Sequence, residues 1–320
     1  MKSKDSFLRK VLAQKEIGAA LPLAILLICV FVVNKSFYRP DNIFDILRTT
    51  AFSVFLAIPV TFLMAAGGMD LSIGAVVSIG GVIVGSCIKA GMPISIAILI
   101  TAAAGLLIGF LNGFMIVRCK LPAFIATLAM QYCINGLNNV WTGGLSINNL
   151  PAAFKLLGQY RLGGKLSITV LYAFILVVIG HIILTRAKAG RTVLAVGGTK
   201  ECAHLAGINV VRTQIIIYMI TGFFSAMTGM LYAARFGAVQ TSIGNGIELT
   251  TIAAVIVGGT SMFGGSASLI GAVLGCLLLS TISNALVLMK VSVYWQTLIF
   301  GVILIAALYI DRYRQKILQS

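Results

Sequence analysis

Charged residues are scarce in this sequence, and the motifs of several enzyme classes are missing. Charged side chains make up 10% of the 320 residues, against about a quarter in a typical soluble domain. There is no G-x-x-x-x-G-K-[ST] phosphate loop, no H-E-x-x-H zinc motif and no G-x-S-x-G nucleophile elbow. The two histidines, His181 and His204, have no partners at ligand spacing. The sequence therefore predicts no catalytic residue, no metal site and no cofactor.

Hydrophobic residues take the place of the missing charges. They form 59% of the chain, and the mean hydropathy is +1.03. Several apolar runs are long enough to cross the roughly 30 Å of hydrocarbon in a bilayer. The sequence therefore predicts an all-α, polytopic membrane protein with about ten transmembrane helices embedded in the lipid bilayer.

The net charge of +16 has two interpretations. One is a nucleic-acid partner. The other is membrane orientation, because Lys and Arg cluster in short loops and at the chain ends, where orientation signals and lipid-headgroup contacts lie. We favour the second and expect no nucleic-acid partner. If the basic segments at 1–16, 118–120, 185–212 and 311–320 all face the cytoplasm, both termini are cytoplasmic.

The apolar runs fall into two groups of five. The basic arm at 1–16 and the modest apolar run after it, at 17–33, also fit a secretory signal. No small-x-small cleavage site follows them, which favours a retained span. The run at 249–262 is short and either spans or re-enters the membrane. The predicted order is a cytoplasmic arm at 1–16, a first five-helix repeat at 17–140, an extracytoplasmic linker at 141–166, a second five-helix repeat at 167–310 that contains a cytoplasmic loop at 185–212, and a cytoplasmic tail at 311–320.

Two stretches of the chain echo each other. Residues 67–75 read GGMDLSIGA, and residues 244–251 read GNGIELTT, so that Asp70-Leu71-Ser72 corresponds to Glu248-Leu249-Thr250. Matching positions continue downstream at Asn112 and Asn284, at Lys120 and Lys290, and at Thr127 and Thr297. A unit with an odd number of spans must be inverted when it is used twice. We therefore expect two inverted five-helix repeats related by an axis in the membrane plane.

Asp70 and Glu248 are rare carboxylates within the apolar sequence, and two roles fit them. As functional groups they would line a polar path or a hinge, together with Ser72 and Thr250. As structural groups each would cap the helix that follows, where free backbone N–H groups and the positive helix end favour a carboxylate. The amides of Asn112 and Asn284 also have two roles, since they could bond a sugar hydroxyl or a neighbouring helix.

Glycines recur at every fourth residue in several predicted spans. Gly105, Gly109 and Gly113 share one face of a helix, and the pairs Gly81/Gly85 and Gly271/Gly275 have the same spacing. Small residues at this spacing let helices approach closely in lipid. We therefore predict tight helix packing along these faces.

The loop at 185–212 is too apolar for a solvated loop and too short for a domain. Thr199 is a candidate cap for a short helix from Lys200 to Leu205 that is ended by Gly207. Such a helix, with Ala203, Leu205 and Ala206 exposed, would fit a groove on a partner protein. The alternative is a helix that lies on the membrane surface.

Several motifs resemble one transporter family. Residues 190–208 follow the pattern G-R-x-x-x-A-x-G-G-x-x-x-x-A-x-x-x-G-I, which is similar to the cytoplasmic coupling loop of sugar-type permeases of ABC importers, the ribose permease relatives. GMDLSIGA, LPAFIATL at 121–128 and GIELTTIAAVIVGGTSMFGG at 246–265 match further stretches of that family. The resemblance covers nearly the whole chain. Departures from the family pattern, such as Thr199 and Cys202, leave the solute open.

The resemblance implies a permease subunit that moves a sugar by alternating access and is not itself an enzyme. It implies a cytoplasmic ATPase, an extracytoplasmic solute-binding protein and a second permease subunit, identical or different, in a bacterial cytoplasmic membrane. A transporter or channel that works alone is the competing hypothesis, and a membrane enzyme or receptor ranks lower. The residues that the resemblance assigns to ATPase coupling are Gly190, Arg191, Glu201, Ala203, Leu205, Gly207 and Ile208.

Overall fold

The computed structural model describes residues 17–33, 35–292, 294–303, 305 and 309, so the predicted arm at 1–16 and tail at 311–320 lie outside it. Its regular structure is helical apart from a small hairpin, which confirms the all-α prediction. The elements are α1 Ile17–Val33, a 3-10 turn Lys35–Tyr38, α2 Pro40–Ala65, α3 Ile73–Lys89, α4 Ile94–Val117, α5 Ala123–Thr142, α6 Ala152–Gln159, β1 Arg161–Leu162, β2 Leu166–Ser167, α7 Ile168–Arg186, α8 Lys188–Gly198, α9 Lys200–Leu205, α10 Val210–Phe236, α11 Ile247–Val257, α12 Leu269–Leu288 and α13 Tyr294–Ile303.

Five of the described helices are long and apolar enough to cross a bilayer, namely α2, α4, α7, α10 and α12. The chain is therefore a multi-pass membrane protein. Helix α11, in the run at 249–262, has 11 residues and covers about 16 Å, roughly half of the hydrocarbon thickness, which favours re-entry over a full span. It is a half-helix, and Gly258-Gly259 ends it.

Helix α10 lies at the centre of the bundle, and the predicted glycine face of α4 packs on it. A Cβ at Gly109 would overlap the carbonyl oxygen of Tyr218, and a Cβ at Gly105 would lie 2.6 Å from the carbonyl oxygen of Gly222. A second pair of helices packs in the same way, because a Cβ at Gly275 on α12 would overlap the carbonyl oxygen of Ala254 on α11. The prediction of close helix approach at these glycines is confirmed.

Two stretches of non-helical chain interrupt the helices of the bundle. The first, 66–72, separates α2 from α3, and the second, 237–246, separates α10 from α11; we call them the first and second breaks. The second break runs alongside α3. Val239 lies against Gly85, and Gly244 donates its N–H to the Ser78 hydroxyl oxygen at 3.0 Å. Gly85 and Ser78 are seven residues or about 10 Å apart along α3. The second break is buried in protein at Gly237, Val239 and Gly244, whereas Gln240, Ser242, Asn245 and Gly246 are exposed.

The segment at 141–166 is more than a linker. It contains α6 and the hairpin, and Ile147 forms a β-bridge with Val239 of the second break. Phe154 of α6 is fully buried, and a Cβ at Gly158 would lie 2.6 Å from the backbone nitrogen of Arg235 at the end of α10. This segment therefore forms a cap over one end of the bundle. Its helix has only eight residues, which is too few for a clear hydrophobic period in the sequence.

Candidate translocation and coupling sites

Asp70 lies in the first break and is the centre of a buried polar network. Its Oδ1 accepts hydrogen bonds from the Ser72 backbone N–H at 2.8 Å and from the Ser72 hydroxyl at 2.6 Å. Its Oδ2 accepts from Asn112 Nδ2 at 3.2 Å, and the same nitrogen lies 2.8 Å from Ser72 Oγ. We call these three residues the Asp70 cluster. It joins the start of α3 to the C-terminal part of α4, and all three members are buried.

The cluster bears on both roles considered for Asp70. The carboxylate does bind a backbone N–H just before α3, as the capping interpretation requires. The Ser72 backbone has φ −76° and ψ −8°, and no side-chain bond caps α3 in the usual N-cap position. Asp70 therefore stabilises the break itself rather than the first helical turn. The role of Asp70, Ser72 and Asn112 in a translocation path stays a prediction.

Glu248 occupies the first turn of α11 and bonds across the bundle. Its Oε1 accepts a hydrogen bond from Gln131 Nε2 on α5 at 3.1 Å, although the two residues are 117 positions apart. Gly246, with φ +79°, is the N-cap of α11, and no side chain caps this helix by a hydrogen bond. Glu248 therefore ties the second break to α5 instead of capping α11. Its placement beside the positive helix end remains favourable for a carboxylate.

Both breaks are held by the same face of α5. The Leu71 N–H of the first break donates to Thr127 Oγ1 at 3.1 Å, and Gln131, one helical turn later, bonds Glu248. Two amides of α5 face other protein, since Gln131 bonds Glu248 and Asn138 is buried, whereas Asn139 of the same helix is exposed. Thr127 and Gln131 are one helical turn, about 6 Å, apart along α5, so the first break and the start of α11 are bonded to neighbouring positions on this helix.

Tyr218 on α10 also binds the first break, through hydrogen bonds to Met69. Its hydroxyl donates to the Met69 carbonyl oxygen at 3.0 Å and lies 3.3 Å from the Met69 N–H, and the ring is 1% exposed. Thr127, Gln131 and Tyr218 were not among the predicted site residues. For Gln131 the signal was an amide in an apolar run, whereas nothing in the local sequence distinguishes Tyr218.

Six side chains in the described part of the chain have buried polar atoms without a hydrogen-bond partner. Three of them are Asn112 at Oδ1, Glu248 at Oε2 and Asn138 at both amide atoms, and the other three are Arg48, Thr50 and His181. Buried polar atoms are rarely left without a hydrogen-bond partner, because burying an unpaired polar atom costs about 1–3 kcal/mol. The face of α5 that bears Gln131 and Asn138 is therefore a row of polar side chains within the apolar bundle.

Asn284 has a different environment from its predicted counterpart Asn112. Its Nδ2 donates to Asn42 Oδ1 at 2.8 Å, and Asn42 Nδ2 donates back to Asn284 Oδ1 at 3.0 Å. This reciprocal amide pair fastens the end of α12 to the start of α2. Of the two roles considered for Asn284, the geometry favours the bond to a neighbouring helix, and a role in the path stays a prediction.

Thr250 borders a cavity of about 480 Å³ at the start of α11. Its hydroxyl bonds the Ile247 carbonyl oxygen of its own helix at 3.0 Å. A volume of several hundred Å³ with a few polar groups is typical of a small-molecule site. The lining includes Asn245, Gly246, Thr250, Ala253, Leu279 and Phe300.

The predicted coupling loop is a pair of short helices, α8 and α9. Helix α8 was not predicted. It turns back sharply on α7, since a Cβ at Gly190 would overlap the carbonyl oxygens of Ile183 and Leu184. Arg191 Nη1 donates to the Arg186 carbonyl oxygen at 3.1 Å and closes the same turn. Gly190 and Arg191 therefore fix where the coupling segment, α8 with α9, leaves the bundle.

Helix α9 has the predicted bounds but not the predicted cap, and the predicted exposure is confirmed for Leu205 and Ala206 but not for Ala203. It runs from Lys200 to Leu205, and Thr199 makes no capping hydrogen bond. The prediction that Ala203 is exposed is wrong: it is 3% exposed, because it faces inward while Leu205 is 86% exposed. Gly207 adopts φ +80° and ends the helix as predicted.

Fewer of the apolar residues of α9 are therefore exposed than the sequence indicated. Glu201, Leu205 and Gly207 are exposed, and Ile208, half-buried, donates its N–H to the Ala203 carbonyl oxygen at 3.0 Å. Leu205 is a large apolar side chain exposed at the end of α9, and a docking role for this helix stays a prediction.

Comparison with known proteins assigns this chain to a transport family. Residues 42–308 match the family described as "Branched-chain amino acid transport system / permease component". The chain belongs to this permease family. No solved structure matches the chain.

Curated relatives cover almost the whole permease. The ribose import permease protein RbsC of Bacillus subtilis (strain 168) is 35% identical over 302 residues, which are 93% of this chain and 93% of the relative. RbsC of Haemophilus influenzae is 33% identical over 298 residues, 92% of each chain. The autoinducer 2 import system permease protein LsrC of Escherichia coli O9:H4 is 31% identical over 297 residues, 93% of this chain and 86% of the relative. The resemblance seen in the sequence is confirmed, and the permease is a transport component rather than an enzyme.

Proposed function

We propose that this permease carries a sugar or sugar-like solute into a bacterial cell as the membrane subunit of an ATP-binding-cassette importer. The observation that carries the proposal is the similarity, over more than nine-tenths of the chain, to permeases named for ribose and autoinducer 2 import. The same similarity favours an importer subunit over a transporter or channel that works alone. The solute would cross by alternating access.

The proposed complex has three further kinds of subunit. A cytoplasmic ATPase binds the coupling segment at Leu205 and hydrolyses ATP, for which this chain has no motif. An extracytoplasmic solute-binding protein delivers the solute to the opposite end. A second permease, identical or different, completes the path. The membrane is the bacterial cytoplasmic membrane, and both termini face the cytoplasm.

Two inverted repeats, 17–140 and 167–310, are part of the proposal. Lys120 follows α4 and Lys290 follows α12, and both adopt φ 57°, a left-handed conformation that is uncommon for residues other than glycine. The starts of the two matching short helices also meet, since a Cβ at Gly74 would overlap Glu248 Oε2 and the Gly244 carbonyl oxygen. Matching turns and the contact of matching half-helix starts support an axis in the membrane plane.

The breaks open toward opposite ends of the bundle, as inverted repeats require. The first break begins beside α8 of the coupling segment, where a Cβ at Gly197 would overlap the Ala65 carbonyl oxygen. The second break begins beside the cap, where a Cβ at Gly237 would lie 2.8 Å from Lys155 Cε. With 185–212 in the cytoplasm, the cap at 141–166 is extracytoplasmic.

Co-purification with the ATPase tests the docking site. Leu205→Asp removes the exposed apolar contact, so we expect loss of ATPase binding with normal membrane insertion. Ala203→Asp is the matched comparison: it places a carboxylate in a buried position, so we expect less folded permease rather than a docking defect. Full ATPase recovery with Leu205→Asp would contradict the docking role. ATP-dependent uptake of D-ribose by the reconstituted complex tests transport.

A further inference from the structure

Three Gly-Gly pairs from distant parts of the sequence meet at one place. They are Gly67-Gly68 at the first break, Gly197-Gly198 at the end of α8, and Gly264-Gly265 in the turn between α11 and α12. The contacts are between backbones. Gly265 donates its N–H to the Ala65 carbonyl oxygen at 2.9 Å. A Cβ at Gly264 would lie 2.6 Å from the Gly197 carbonyl oxygen and 3.0 Å from the Gly67 nitrogen.

Gly197 occupies the middle of this contact. A Cβ there would overlap the Ala65 carbonyl oxygen and lie 2.7 Å from the Gly265 nitrogen. Gly264 and Gly265 have φ +90° and +74°, a conformation that L side chains rarely adopt. Close approach and backbone conformation thus both require glycine. We call Ala65, Gly67, Gly197, Gly264 and Gly265 the glycine junction.

The location of the junction connects the coupling segment with both proposed repeats. Ala65 is the last residue of α2, directly before the break that carries the Asp70 cluster. Gly264-Gly265 follows the half-helix α11, which carries Glu248. Gly197 belongs to α8, which precedes the exposed α9 by a single residue. No side chain separates the three backbones, so no rotamer change can absorb a displacement of one against another.

We propose that the glycine junction is the rigid joint that transmits movement of the coupling segment to both helix breaks, with Gly197 as its positioning residue. A shift of α8 moves the ends of α2 and of the α11–α12 turn together. The first break, bonded to Thr127 through Leu71, and Glu248, bonded to Gln131 one helical turn later on α5, then change position in one step. This proposal rests on the proposed importer function and assigns it a route of energy transfer.

The two neighbouring glycines of α8 supply a matched pair of variants. Gly197→Ala inserts a methyl group between the three backbones. Gly198→Ala adds the same methyl group one residue later, where a Cβ meets no atom within 4 Å. Both substitutions leave Leu205 in place, so the ATPase should still bind. We expect Gly197→Ala to lower the number of D-ribose molecules taken up per ATP hydrolysed by about tenfold, and Gly198→Ala to leave that ratio unchanged.

The ratio separates coupling from stability. A variant that only lowers the amount of active complex reduces uptake and hydrolysis together and leaves the ratio at the wild-type value, which would overturn the proposal. Absence of D-ribose uptake by the wild-type complex would instead refute the proposed function. The two failures are therefore distinguishable.

A second measurement needs no substitution in the junction. After replacement of the native cysteines, spin labels are placed at the exposed positions Ala195 on α8 and Phe263 beside Gly264. We expect the distance between the labels to change by less than about 2 Å between the nucleotide-free and ATP-trapped complexes, because the joint moves as one body. A larger change would show that the joint opens and would reject a rigid joint, even if Gly197→Ala failed to fold.

Discussion

Replacement of Asp70 by alanine removes an acceptor on which the first break depends. The Ser72 N–H and hydroxyl both donate to Oδ1, at 2.8 and 2.6 Å, and both lie in a fully buried residue. Each donor left without a partner costs about 1–3 kcal/mol. The expected destabilisation is therefore about 3–4 kcal/mol. With an unfolding entropy near 2.1 cal/mol/K per residue, a 320-residue chain should lose about 5 °C in its midpoint of thermal denaturation.

Replacement of Asp70 by asparagine should be far milder. One carbonyl oxygen still accepts from Ser72. The new NH₂ group faces Asn112, whose amide can turn so that its unpaired Oδ1 accepts the bond. We expect a loss of about 1 kcal/mol, or 1–2 °C. Asn112→Asp should be severe, because it sets two carboxylates about 3 Å apart, and the double variant Asp70→Asn/Asn112→Asp should recover most of the loss.

The midpoint is measured on detergent-solubilised permease by size-exclusion chromatography after heating, with fluorescence detection. Denaturation of a membrane protein in detergent is generally irreversible, so all variants are heated at one rate and compared with the wild type. Equal losses for Asp70→Ala and Asp70→Asn, or no recovery in the double variant, would show that the hydrogen bonds of the Asp70 cluster do not hold the break.

Three further substitutions test other parts of the structure. Gly109→Ala should lower the midpoint by about 3 °C, because a Cβ overlaps a carbonyl of α10, whereas Gly136→Ala, in open space, should raise it slightly. Asn42→Ala and Asn284→Ala should each cost about 1–2 kcal/mol, the double variant should cost no more than either, and D-ribose uptake per folded complex should be unchanged. Thr250→Val should raise the KM for uptake about fivefold with little change in the midpoint, and an unchanged KM would exclude solute contact at this cavity.

Features that depend on neighbouring residues were predicted well. Helix α9 begins at Lys200 and ends at Leu205 as predicted, although Thr199 does not cap it by a hydrogen bond. The glycines at every fourth residue of α4 identified the face that packs on α10. Burial within α9 was predicted poorly, because Ala203 and Leu205 are equally apolar in the sequence. Which of them faces inward depends on the direction in which α8 leaves the bundle at Gly190.

The sequence by itself determined the membrane class, the family and the presence of two matching acidic stretches, because hydrophobic runs and short motifs are local properties of a chain. Only the tertiary structure decided what those stretches touch. Gln131 and Glu248 are 117 residues apart, and Asn42 and Asn284 are 242 apart, so no local pattern pairs them. The three Gly-Gly pairs are visible in the sequence, but their meeting is a consequence of how the helices pack, since backbones can touch only where packing brings residues without side chains together.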